Sequence, residues 1–283
     1  MILVDFRQLA NVIFHSGYHE VGYSLDPFKH KFLNYLLFTK SRFKNKFGDI
    51  VLALDSANYW RKSIFPYYKA SRAKGRDDSD LDWGKIFENF KSLEDDLKTY
   101  IPWKLVSVPR AEADDIIGVL AARLHQQENV LIVSGDKDFL QLQKYPNVYQ
   151  YSPMMKKLLV ENNPEIALRE KIIRGDAGDG IPTINCNDDK FVAEEKTRAP
   201  SITKKWLEVV LKAPNIEEHL TEEQKKNYER NQKLIDFTFI PKDISQGIIE
   251  AYTSYVPPKR SGVFSYLNER GYVNLIDMLE HLS

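Results

Sequence analysis

Four short apolar runs in the first half of the chain, at residues 2–4, 50–54, 104–108 and 130–133, each hand over within a few residues to acidic side chains. Each is followed by a longer stretch of helical apolar spacing, at 27–46, 83–100 and 113–125 after the first three. Short runs of this composition read as buried strands, and crossovers of this length return the chain to the same edge direction. The pattern predicts an α/β domain with a mostly parallel central sheet flanked by helices. Beyond about residue 162 the strand signals fade, and 165–174, 203–212, 221–235 and 244–255 read as helices. The expected division is therefore an α/β domain over 1–160, with a basic bridge segment at about 57–82, and a smaller helical subdomain over 161–283. The polar stretch 185–200 reads as a loop.

Composition excludes several classes. With 43% hydrophobic and 28% charged residues the chain is a folded protein and not a disordered one. One cysteine, Cys186, supports neither an internal disulfide nor a thiolate zinc cage, so an oxidised secreted scaffold is not expected. No run approaches the roughly 18 apolar residues of a membrane helix, which points to a soluble protein of the cytoplasm. Lys plus Arg and Asp plus Glu both number 40, so a nucleic-acid partner has to be argued from distribution and not from net charge. Residues 56–75 carry Arg61, Lys62, Lys69, Arg72 and Lys74 with no acid, and Asp77, Asp78, Asp80 and Asp82 follow directly.

The acids are the chemistry-bearing feature. Asp5 and Asp55 end the first two runs, Glu112, Asp114 and Asp115 follow the third, and Asp136 and Asp138 follow the fourth. Parallel strands deliver all of these to one rim, where open α/β sheets bind ligands. An Asp after a strand is often only a helix N-cap, and Asp115 is the acid that best fits capping. Capping needs one acceptor, however, and not Glu-x-Asp-Asp or Asp-x-Asp. Asp176 and Asp179 add a further pair three residues apart. Carboxylates packed this closely repel one another unless cations neutralise them, and hard divalent ions such as Mg²⁺, with Mn²⁺ as substitute, suit oxygen ligands. A haloacid-type phosphatase wants a second Asp two positions after the first, and that position is Arg7. A Ca²⁺ hand lacks its later ligands after Asp138.

Tyr59-Trp60-Arg61-Lys62 and Tyr67-Tyr68-Lys69-Ala-Ser-Arg72 interleave rings with cations. Rings stack on unpaired bases while Lys and Arg hold phosphates, so this segment fits a single-strand clamp. Lys204 and Lys205, at an expected helix start, are candidates for gripping a duplex backbone.

The runs Ile-Leu-Val-Asp5, Leu-Ala-Leu-Asp55, Glu112-Ala-Asp114-Asp115, Ser-Gly-Asp136-Lys-Asp138 and Gly-Asp176-Ala-Gly-Asp179-Gly, in this order, resemble the 5′ nuclease family of flap endonucleases and bacterial polymerase 5′ nuclease domains. Within that family the likeness is to the ribonuclease H of T-even bacteriophages, and it extends to Leu-Ile-Asp236-Phe and Tyr255-Val-Pro-Pro. The resemblance implies a PIN-like nuclease domain and a metal-dependent 5′ to 3′ nuclease. Its substrates would be RNA–DNA hybrids and forked or flap DNA, as in removing RNA primers and adjacent DNA from lagging-strand fragments. It implies Asp5, Asp55, Asp114 and Asp136 around a first metal, with Glu112 and Asp115 in support, and Asp138, Asp176 and Asp179 for a second. Lys69 and Arg72 match the family's basic pair that contacts the scissile phosphate. A sliding clamp and a single-strand-binding protein are implied as neighbours, a monomer is the default, and the host cytoplasm is the compartment of a phage-encoded member. One departure is that Gly180-Ile-Pro-Thr-Ile-Asn185 lacks the Gly-x-Gly run of members with a helix-hairpin-helix duplex clamp. A non-catalytic branched-DNA-binding protein on the same fold is the alternative reading.

Overall fold

A computed structural model describes residues 1–18, 24–193 and 200–282, without the side chains of residues 18, 73, 74, 281 and 282. Residues 194–199 of the expected 185–200 loop and the side chain of Lys74 lie outside the described residues.

The sheet has six strands: β1 (Ile2–Asp5), β2 (Ile50–Ala53), β3 (Lys104–Val106), β4 (Val130–Val133), β5 (Val148–Ser152) and β6 (Lys157–Leu159). They lie in the order β3-β2-β1-β4-β5-β6, parallel throughout except for the antiparallel edge strand β6. β5 and β6 were not anticipated. In β5, Gln150 and Ser152 break the apolar run, yet both are fully buried because their side chains serve backbone groups.

The helices are α1 (Phe6–Ile13), α2 (Leu25–Phe43), α3 (Trp60–Ile64), α4 (Ser71–Asp77), α5 (Trp83–Tyr100), α6 (Ala113–Leu124), α7 (Pro164–Arg174), α8 (Lys204–Lys212), α9 (Glu222–Ile235), α10 (Lys242–Ser254), α11 (Ser261–Glu269) and α12 (Val273–Ile276). β1, β2 and β4 are buried at every position, as a parallel sheet covered on both faces requires. Ile2, Val4, Ile50, Leu52, Leu131 and Val133 share a core with Leu9 of α1, Phe32 and Leu36 of α2 and Ile86, Phe90 and Leu93 of α5. Alternation along each strand sends Leu3, Val51 and Ile132 to the opposite face, and α6 packs on β1, β2 and β4.

The chain divides into two compact units, one of Met1–Ala57, Leu81–Val160 and Lys242–Ser283, the other of Asn58–Asp80 and Glu161–Pro241. Segments 58–80 and 242–283 thus each group with a stretch remote from them in the chain. The carboxy-terminal segment joins the sheet unit because Lys104 Nζ donates to the carbonyls of Tyr252 and Tyr255, at 2.9 and 3.0 Å, and Tyr272 Oη donates to Asp26 O. The bridge segment joins the helical unit because Arg61 Nε donates to Leu234 O at 2.8 Å. That unit has its own core, in which Phe65 and Tyr68 pack with Ile172, Ile173, Leu207, Val210 and Leu234. No helix among the described residues is long and apolar enough to cross a membrane.

Candidate active site

The strand order places a topological switch point between β1 and β4: from β1 the chain moves one way to β2 and β3, then returns past β1 to β4. Ligands of open α/β sheets bind in the crevice at the carboxyl ends of such strands. Asp5 is the last residue of β1, Asp136 follows β4, and Asp55 lies just beyond β2, the other neighbour of β1. The sheet unit thus brings three of the expected acids to one rim.

Asp5 is buried and caps α1, accepting from Gln8 N at 3.0 Å and from Ser134 Oγ at 3.2 Å. Burial, reinforced by the charges of Asp55 and Asp136, pushes its carboxyl up to about 7, against the opposing effect of these two hydrogen bonds. Asp55 accepts at Oδ1 from Ala113 N at 2.9 Å, which fixes the start of α6 beside it. Asp114 follows in the first turn of α6, partly exposed. Asp115 is fully buried and accepts from Glu112 N at 2.9 Å, so its geometry is that of a cap, and Glu112 is buried at the helix start.

Beyond β4, Asp136 N donates to Ser134 Oγ at 3.1 Å while its own Oδ1 accepts from Asp138 N at 2.9 Å. The buried Gln150 side chain donates to the carbonyls of Ser134 and Asp136, at 3.0 and 2.6 Å, and thereby fixes this turn. Asp138 is half-buried in the 3₁₀ segment that follows.

Among the described residues no group of three or more His, Cys, Asp or Glu side chains is drawn together tightly enough to cage a metal ion. Like charges repel, and these acids turn their oxygens toward backbone N–H groups and Ser134. The donor set nonetheless fits a hard divalent cation: its oxygens are all carboxylate, and the proton affinity of Asp5 registers the charge of its two neighbours.

In the helical unit, Asp176 and Asp179 flank a single 3₁₀ turn closed by a backbone bridge between Asp176 and Ile181. Asp176 Oδ1 accepts from Gly178 N at 2.8 Å, and Lys171 Nζ lies 2.9 Å from Oδ2. Burial opposes its charge, but Lys171 and the backbone donors prevail and hold the carboxyl below its ordinary value. Asp179 meets the basic pair: Arg72 Nη2 is 2.5 Å from Oδ1, Lys69 Nζ is 3.6 Å from Oδ2, and Tyr68 Oη donates to Oδ2 at 3.0 Å. Lys69 Nζ also lies over the rings of Tyr59 and Tyr68, 5.6 and 4.9 Å from their centroids. The close approach needs Gly180, whose φ of +73° is left-handed and where a Cβ would stand 2.9 Å from Tyr67 O.

Two residues of the expected single-strand clamp have other duties. Arg61 is buried and committed to Leu234 O and the Trp60 ring, so its guanidinium is no surface grip. Tyr68 is buried with its hydroxyl on Asp179, so its ring is packed and not open for stacking. Lys62 and Tyr67 are exposed, as are Lys204 and Lys205 at the start of α8. Sequence reasoning missed Arg7, whose Nε lies 3.9 Å from Asp55 Oδ2, although its place two residues after Asp5 was a usable signal. It also missed Asn231, fully buried, which donates to Ile172 O at 2.7 Å and Pro182 O at 2.8 Å and so ties the end of α7 to the chain just beyond the Asp176 turn.

A model described as 5′-3′ exonuclease, N-terminal resolvase-like domain, matches residues 1–171, and one described as T4 RNase H, C terminal, matches residues 162–282. The chain is 34% identical over 286 residues to the ribonuclease H of Enterobacteria phage T4, covering 98% of this chain and 94% of that protein. It is 30% identical over 151 residues to a 5′-3′ exonuclease of Buchnera aphidicola, half of each chain. In fold it resembles the bacteriophage T5 flap endonuclease solved in a pseudo-enzyme-product complex with DNA and metal ions. That likeness has a TM-score of 0.64 at 16% identity and covers 99% of this chain and 98% of that one.

Proposed function

The chain belongs to the 5′-3′ exonuclease family, and from that membership we propose that it is a 5′ to 3′ nuclease of the ribonuclease H and flap endonuclease type. It removes RNA and adjoining DNA from 5′ ends by metal-assisted phosphodiester hydrolysis, acting on RNA–DNA hybrids and on forked or flap DNA. The observation that carries the reading is the placement of Asp5, Asp55 and Asp136 at the carboxyl ends of the adjacent strands β1, β2 and β4, where the charges of Asp55 and Asp136 add to burial in raising the proton affinity of Asp5.

In this proposal Asp5, Asp55, Asp114 and Asp136 hold a divalent ion, Mg²⁺ or Mn²⁺, with Glu112 and Asp115 fixing the first turn of α6, and Asp138 is the sheet unit's candidate ligand for a second ion. Asp176 and Asp179 are the candidate ligands of the helical unit for a further ion. Such ions, when bound, lower the pKa of water and stabilise charge on phosphate oxygens. The side chains supply positioning and the remaining charge. Lys69, held between two tyrosine rings, and Arg72 would neutralise the phosphate as charge develops on it. A phosphate reaching this pair meets cations already arranged for an anion, because the Asp179 carboxylate now holds them. Lys62, Tyr67, Lys204 and Lys205 would contribute backbone contacts whose strength falls with salt. A sliding clamp and a single-strand-binding protein are proposed as neighbours at the replication fork, in the host cytoplasm.

The test is incubation of the protein with 5′-labelled RNA–DNA hybrid and with forked DNA, with Mg²⁺ and with chelator. Short 5′-phosphorylated products that require the metal are expected. Binding without any metal-dependent product would overturn the assignment.

A further inference from the structure

One face of α5 carries a ladder of rings that the mechanism above does not use. Trp83 and Phe87 lie one turn apart with centroids 5.8 Å from each other, and Phe90 continues the row. Phe90 is buried and fixed by Phe28, stacked at 5.5 Å, and by Phe14, edge-on at 6.4 Å. Phe87, by contrast, is 38% exposed.

The guanidinium of Arg7 lies over both Phe87 and Phe90, 5.3 and 5.8 Å from their centroids. Its Nε stands 3.9 Å from Asp55 Oδ2, an ion pair too long for a hydrogen bond. Arg7 is thus held by rings on one side and drawn to the acidic rim on the other, with 41% of its side chain in solvent.

A planar cation beside exposed rings has the chemistry of a nucleotide subsite: rings and guanidinium planes stack on unpaired bases, and the same guanidinium holds a phosphate. Position agrees, because Arg7 lies two residues after Asp5, in the first turn of α1 beyond the carboxyl end of β1. We propose that Arg7, Phe87 and Trp83 form a subsite for one unpaired nucleotide of the substrate strand, its base against the rings and its phosphate on Arg7. The subsite lies beside the acids of the sheet unit and is additional to the basic bridge segment. The inference rests on the nuclease reading for the identity of the ligand.

The experiment reads binding and not cleavage. Forked DNA with 2-aminopurine in its single-stranded 5′ arm is titrated with the full chain in chelator, with wild type, Phe87→Leu, Arg7→Ala and Arg7→Lys. Wild type quenches 2-aminopurine at one arm position, and Phe87→Leu relieves the quench. Arg7→Ala weakens affinity on the order of tenfold and lowers the salt slope by about one, while Arg7→Lys restores the slope but not the quench. Unchanged quench and affinity in Phe87→Leu and Arg7→Ala, with circular dichroism intact, overturn the subsite. So does an Arg7→Ala loss of affinity with the salt slope and the quench both unchanged, which would make Arg7 only a counter-ion of Asp55. A quench that follows these expectations in a protein that never cleaves would sink the nuclease reading and leave the subsite standing.

Discussion

Arg72 Nη2 stands 2.5 Å from Oδ1 of Asp179, with 106 residues of chain between them. The acid that the family resemblance assigns to metal is therefore the counter-ion of the basic pair assigned to phosphate. Lys69 and Tyr68 converge on the other carboxylate oxygen.

This pairing has a measurable consequence. Asp179→Asn removes the competing anion, so affinity for nucleic acid in chelator should rise several-fold, and the dependence of log affinity on log salt should steepen by about one to two. Fluorescence anisotropy over a KCl series reads both. Equal affinity and slope in the variant would mean that the ion pair does not compete with phosphate.

Lys69→Ala should slow hydrolysis by roughly 10²–10³ while changing substrate affinity less than about threefold, since its charge is placed for the reacting phosphate. Single-turnover rates beside equilibrium binding separate the two. Equal losses in both would reduce Lys69 to an affinity residue.

Asp114→Asn should leave circular dichroism and DNA affinity near wild type and bring metal-dependent cleavage below detection. Its side chain is partly exposed at the start of α6, so the change disturbs no core. Appreciable turnover in saturating Mg²⁺ would remove Asp114 from the catalytic set.

Asp5 gives a pH signature. Its folded pKa, about 7, lies above the ordinary carboxylate value, so between about pH 4 and 7 the folded state binds more protons than the unfolded one. The stabilisation from the protonated form is complete at the acid end and is lost as pH rises through 7. Without metal, Asp5→Asn should therefore melt above wild type at pH 8, by on the order of a few °C, with the gap closing toward pH 5. Thermal melts in chelator at the two pH values check this. A gap that widens toward acid would reverse the sign.

Asn231→Ala leaves the buried Ile172 O without its Nδ2 donor and Pro182 O with Arg230 Nη2 in place of two donors. A loss of about 3 kcal/mol in urea unfolding is expected. A change within about 0.5 kcal/mol would show that water replaces the amide.

Much of this architecture was legible. β4 begins and ends where its apolar run does, and α5 and α7 match their expected limits to within a residue, because periodic burial writes itself into composition. β5 was not legible, since Gln150 and Ser152 are buried by virtue of hydrogen-bonding partners that no local pattern reveals. The two-unit division was hidden for the same kind of reason: Lys104 and Arg61 bond to carbonyls of remote segments through side-chain donors that no local pattern reveals.

The sequence by itself determined that acids would follow successive parallel strands and so gather at one rim, because strand direction and side-chain order are local properties. Only the tertiary structure decided what each charge faces. Asp115 caps, Arg61 is buried, Arg7 leans over Phe87 toward Asp55, and Asp179 holds Lys69 and Arg72. Electrostatic partnership depends on distances of a few ångströms between residues far apart in the chain, and packing alone sets those distances.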